Sequence, residues 1–239
     1  MKKNEKEFEV LKIPILTERF HPMNIKGILL LMWLFCALFT YLEYFFLKDT
    51  RDRIAALHGL YDIDYYTTII IAVPIVILFP KVMSMKFQRL QFILFIITEV
   101  KLGFQMFLLG HIGLATVLDK DIMHYIFMVT IILALVVLSI SIMRFKFLLN
   151  QGSFKVRSTL YKKRLNNEIN QKVLMPIYIL IGAAGISRFL GEYANDITMG
   201  IVSTFFIFII YLIFIILPEQ IMTAYCKFIF PGFHVKEEI

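Results

Sequence analysis

Long apolar runs alternate with short polar ones along the chain. Six runs stand out: Gly27–Leu47, Tyr65–Pro80, Leu90–Gly110, Ile122–Met143, Val173–Leu190 and Ile197–Leu217. A hydrocarbon core of about 30 Å needs roughly 20 apolar helical residues per crossing, and these runs have about that length. The pattern predicts an all-α fold, a polytopic transmembrane bundle of six helices. Pro74 in the second run predicts a kink there. The chain divides into an N-terminal segment (1–26), a transmembrane domain (27–217) with a polar loop at 144–172, and a tail (218–239). The first run is longer than a signal-peptide core and is followed by Lys48-Asp49-Thr50-Arg51 in place of a small-residue cleavage site, so it reads as a retained span.

Composition strengthens this reading. Apolar residues make up 59% and charged ones 18%, against roughly 45–50% and about 25% in soluble domains. The net charge is +7, and its distribution matters more than its size. If the spans alternate, nineteen lysines and arginines fall on the side of residues 1–26, 81–89, 144–172 and the tail, and five on the other side. The positive-inside rule then places both termini in the cytoplasm. It makes the partner of the basic surface anionic lipid, not nucleic acid. The setting expected is a cell membrane, most simply a bacterial plasma membrane.

Segment 144–172 holds eight basic residues and one acid, with Phe145, Phe147, Leu148, Phe154, Val156, Leu160 and Tyr161 interleaved. That composition fits an amphipathic helix on anionic lipid, a docking site for a cytoplasmic partner, or a plain positive-inside loop. The N-terminal piece Phe8–Leu16, broken by Pro14, is also expected at the membrane surface.

The third span carries the costliest residues. At 100° per residue, Gln91, Thr98, Lys101 and Gln105 share one stripe about 80° wide, and Glu99 lies on the other side with Gly103 and Gly110. A charge near mid-bilayer costs about 2.5–3.5 kcal/mol on insertion scales. The stripe is therefore expected to face other helices or a hydrated path, as a pathway for ions, protons or substrate or as a structural network. Thr130, Ser139, Ser141, Tyr178 and Thr204 are candidate partners on other spans. Glu43 is expected near interfacial water at the outer end of the first span, within possible reach of Arg188, with Glu192 and Asp196 at similar depth. His58, His111, His124, Asp62, Asp64, Asp119 and Asp121 read as solvated outer-loop residues without metal-ligand spacing. Gly182-Ala183-Ala184-Gly185 with Ser187 reads as a close-packing patch. Cys36 and Cys226 are expected to be free thiols.

The sequence lacks His-Glu-x-x-His, Gly-x-Ser-x-Gly, Cys-x-x-Cys and the acidic motifs of membrane enzymes. No enzyme activity, metal or cofactor is expected. The expected role is a transport-type or permease-like subunit, with a non-transporting accessory or immunity protein of a secretion or toxin system as the alternative. Six spans and cytoplasmic termini in 239 residues are similar in outline to small ABC-2-type permeases. No motif is shared, and the longest cytoplasmic loop follows the fourth span, not the second as in that family. There is no nucleotide-binding loop, so ATP coupling would need a separate ATPase, and a secretion component is the other partner considered.

Overall fold

The computed structural model describes residues 5–16, 20–49, 55–155, 158 and 196–235. These residues form an all-α bundle. Its helices are α1 (Glu9–Leu16), α2 (Pro22–Asp49), α3 (Ala55–Leu78), α4 (Lys81–Lys86), α5 (Gln88–Val117), α6 (Lys120–Asn150) and α7 (Asp196–Ile229). Five of them, α2, α3, α5, α6 and α7, are long and apolar enough to cross a membrane. The expected span at 173–190, its small-residue patch, Arg188 and Glu192 lie outside the described residues.

The polarity of the bundle is inverted relative to a soluble protein. Ile69, Ile70, Val73, Val76 and Ile77 of α3 are exposed, while Glu43, Asp64, Lys101, Gln105 and His111 are buried. In water this arrangement would cost twice, once for each set. Facing hydrocarbon, the apolar exterior costs nothing, and the polar groups gain by meeting one another. Tyr41, Tyr44 and Tyr125 are exposed toward one end of their helices, as in the tyrosine belts of membrane interfaces, and Tyr65 and Tyr66 are exposed midway along α3.

Helix α5 is central. It has its most extensive interface with α7 on one side and packs on α2 and α3 on the other. The α5–α7 approach is set by glycine. A Cβ on Gly110 would lie 2.6 Å from the Ser203 carbonyl oxygen and 2.8 Å from Ile207 Cγ1, so only a residue without a side chain permits this crossing.

Several elements are longer than the hydropathy pattern indicates. Helix α3 begins at Ala55 and takes in Asp62 and Asp64. Helix α7 continues through Pro218 to Ile229. Pro218 lacks the N–H that would bond the carbonyl four residues earlier, yet the following turns are helical and their side chains Gln220, Thr223 and Lys227 are buried. Residues 144–150 likewise continue α6. They do not begin a separate surface helix, and residues 159–172 lie outside the described residues.

The end of the bundle where basic residues gather is capped by the N-terminal segment. Phe8, Val10, Leu11, Ile13 and Ile15 are buried with Phe154, Cys226 and Phe233. The Val10 N–H donates to the Phe154 carbonyl at 3.1 Å. Gly152, at φ 68°, turns the chain after α6, and Phe154 folds back beneath the bundle. Both Phe8–Leu16 and the start of the basic segment thus pack on the rest of the chain.

Candidate functional site

A polar cluster joins α2, α3 and α5 inside the bundle. Helix α3 presents Asp64, Thr68, Ile71, Ile75 and Leu78 inward, a spacing of four and three residues that makes one stripe on a helix. Helix α2 presents Cys36, Thr40, Glu43 and Leu47 in the same manner. Helix α5 contributes Lys101 and Gln105.

Asp64 is the hub. Lys101 Nζ lies 2.7 Å from Asp64 Oδ1, with side chains 7% and 0% exposed. The other oxygen, Oδ2, accepts from Gln105 Nε2 at 2.7 Å and from the Thr40 hydroxyl at 2.9 Å. Gln105 also reaches Thr40 Oγ1 at 2.8 Å and the Cys36 carbonyl at 2.9 Å. Thr68 Oγ1 lies 3.0 Å from Thr40 Oγ1. The ring N–H of Trp33 donates to the Thr68 carbonyl at 3.0 Å. Three helices are therefore tied through one carboxylate.

Glu43 is fully buried. The Asp64 carboxyl and the Lys101 ammonium are the charged groups that act on it. Among the described residues no N–H or O–H group reaches either Glu43 oxygen. The cluster holds two acids and one ammonium, so with every group ionised it would carry an uncompensated negative charge in a medium that penalises it strongly.

The expected stripe is thus divided. Lys101 and Gln105 belong to the cluster. Thr98 is buried and donates to the Leu94 carbonyl of its own helix at 2.8 Å. Gln91 is buried at the basic end, where it donates to the Pro22 carbonyl at 2.9 Å and to Ser84 Oγ at 2.8 Å. Glu99, on the other face, accepts from Gln220 Nε2 of α7 at 2.6 Å. All five residues turn toward protein, as their cost demands. Ser139 and Thr204 are exposed and donate to their own helices' carbonyls, so the partners of Lys101 and Glu99 are Asp64 and Gln220.

Two outer-face residues differ from expectation. Asp64 is not solvated, because α3 starts early and carries it inside. His111 is buried between α5 and α6, with Nδ1 2.8 Å from the Phe107 carbonyl and Nε2 2.9 Å from Thr130 Oγ1. Its flanking Phe107 and Phe127 rings complete an apolar socket. Asp62, Asp119, Asp121 and His124 are exposed, as the sequence predicts. Asp119 and Asp121 stand at the start of α6, where the helix dipole favours acids. Glu43 is deeper than its place near the end of the first run implied. Sequence reasoning missed the combination of Glu43, Thr40, Asp64 and Thr68. The signal for it was Asp64 heading the buried stripe of α3, in register with Ile71, Ile75 and Leu78.

Among the described residues no group of three or more His, Cys, Asp or Glu is placed to hold a metal. The chemistry open to the cluster is that of acids, amides, hydroxyls and one ammonium: holding and passing a proton, or pairing with a small cation. The chain matches no protein-family model, no characterised protein and no solved structure.

Proposed function

We propose that this chain is a permease-like subunit of a cell membrane, with both termini in the cytoplasm, and that its Glu43–Asp64–Lys101 cluster carries one exchangeable proton. The observation that supports this reading is the Glu43 carboxyl, buried without an N–H or O–H donor among the described residues, in the same interior as Asp64 and Lys101. A purely structural network would be satisfied by Asp64 and Lys101 alone. The second acid adds a site that is neutral only when protonated, and intramembrane ionisable groups in excess of their partners mark proton relays and ion paths. Lys101 gives Asp64 its counter-ion. Gln105 and Thr40 fix the orientation of the Asp64 carboxylate. Entry and loss of the proton would change the charge of the three-helix junction, which gives a transporter a means of coupling occupancy to helix packing.

The second reading is the non-transporting accessory or immunity protein. It is favoured by the density of bonds on Asp64, which makes the cluster a good staple for α2, α3 and α5.

Everted membrane vesicles from cells producing the full chain separate the two. An energised pH gradient is followed with a fluorescent amine dye while sodium, potassium, small amines and small carboxylates are added in turn. The transport reading predicts a solute class that dissipates the gradient with the wild type and not with Glu43→Gln. If every class behaves as in vesicles lacking the protein, while Glu43→Gln accumulates and melts like the wild type, the cluster is structural.

A further inference from the structure

At the basic end, α4, α5, α7 and the C-terminal residues enclose a half-open cavity of about 330 Å³, within the size range of ligand sites. Lys86, Arg89 and His234 line it together with Phe87, Leu90 and Phe228, and among the described residues no carboxylate does. The cavity lies at the level where the exposed apolar surface of α5 and α7 gives way to charge, since Leu90, Phe228 and Ile229 are exposed beside it.

Arg89 is held in place and still has capacity to spare. Its Nε lies 3.2 Å from the Lys227 carbonyl and 3.1 Å from His234 Nε2. Its guanidinium lies 5.5 Å from the centre of the Phe228 ring. His234 is positioned in turn by its contact with the Lys227 carbonyl at 2.7 Å. The adjacent Val235 is clasped by Gln88, which donates to the Val235 carbonyl at 2.8 Å and accepts from its N–H at 3.0 Å. The terminal nitrogens of Arg89 have no partner among the described residues. A guanidinium held through its Nε, with its terminal N–H groups free in a cavity that a second cation also lines, is a receptor for a tetrahedral oxyanion.

We propose that this cavity binds the phosphate headgroup of an anionic membrane lipid. Arg89 and Lys86 engage the phosphate oxygens, and Phe87, Leu90 and Phe228 lie against the first carbons of the acyl chains. The apolar flank selects the lipid over a free anion: inorganic phosphate gains nothing from three exposed apolar side chains, whereas a lipid already in the bilayer edge covers them. The charge selects an anionic lipid over a zwitterionic one. By bridging α4–α5 to the C-terminal clasp, the lipid would tie residues 231–235 to the bundle.

The test uses the purified full chain in a neutral detergent. Native mass spectrometry and thermal shift are read against phosphatidylglycerol, phosphatidylcholine with the same acyl chains, and inorganic phosphate. Phosphatidylglycerol should bind roughly tenfold tighter than phosphatidylcholine, equivalent to about 1.4 kcal/mol, and phosphate should give no shift. Arg89→Gln should lose about that factor, Arg89→Lys should fall between, and Lys81→Gln should leave affinity unchanged, because Lys81 is exposed on α4 outside the cavity. If Arg89→Gln fails to fold, Lys86→Gln, at an exposed position, decides by losing affinity or keeping it. Equal losses in Lys81→Gln and Arg89→Gln would mean diffuse surface charge and overturn the proposal. So would equal binding of the two lipids, or stabilisation by phosphate as large as that by phosphatidylglycerol.

Discussion

Lys101→Met should destabilise the bundle more than Asp64→Asn, although both break the same ion pair. The pair is short, 2.7 Å, and almost fully enclosed. Removing one partner of a buried pair costs about 3–5 kcal/mol, because the other charge is left uncompensated. Lys101→Met leaves Asp64 with donors on Oδ2 only, from Gln105 and Thr40, and sets two acids together without a cation. Asp64→Asn leaves the Lys101 ammonium with Glu43 as the remaining acid that acts within the cluster; if a side-chain adjustment lets Glu43 serve as counter-ion, a cost of about 1–3 kcal/mol is expected, that of a buried group whose hydrogen bonding is impaired. The double variant removes both charges and should cost less than the sum of the singles, with a coupling of about 2–3 kcal/mol. The assay is equilibrium unfolding in detergent followed by Trp33 fluorescence. Trp33 is the only tryptophan, and its N–H bonds Thr68 across the α2–α3 contact, one residue from the network. Additive singles, or a larger loss for Asp64→Asn than for Lys101→Met, would refute the assignment of Glu43 as reserve counter-ion.

Gly110→Ala should destabilise by about 1–3 kcal/mol through overpacking, because the new Cβ meets the Ser203 backbone. Gly103→Ala should cost less, since its nearest neighbour is the flexible tip of Ile213 at 2.5 Å; melting temperatures in detergent test the order. Thr40→Val should cost about 1–2 kcal/mol by orphaning part of the Asp64 shell, with the loss visible in the same Trp33 transition. Cys226 is fully buried beneath the N-terminal cap, so it should resist maleimide in the folded wild type and react after Phe8→Ala, as read by mass spectrometry. A cysteine placed at Lys155, an exposed position, should be inaccessible to an impermeant thiol reagent applied to intact cells; labelling there would reverse the topology.

The all-α architecture was legible because a run of some twenty apolar residues has few other fates. The cost of Lys101 was equally legible, and with it the inward orientation of the α5 stripe. What was not legible was the partner. Asp64 sits beside Asp62 and after Gly59 and Asp62, residues that read as loop in water, and hydropathy averaging ended the second span at Tyr65. Inside the bundle an aspartate that satisfies three donors is no longer a polar interruption, so α3 runs on through it. Pro218 misled in the same way, marking an end where the helix merely loses one bond. Glu43 was assigned to the interface from its position along one helix. Its depth depends on the approach of α3 and α5, which long-range packing decides and a local pattern does not encode.

The central claim is that Glu43 and Asp64 share one exchangeable proton beside Lys101. Infrared spectroscopy of the purified protein in lipid tests it most directly, through the C=O stretch of a protonated carboxyl and its displacement in heavy water. The account predicts such a band near neutral pH in the wild type, shifted in heavy water, absent from Glu43→Gln and retained in Glu99→Gln. A spectrum without that band, or one in which Glu43→Gln leaves it intact, would contradict the account.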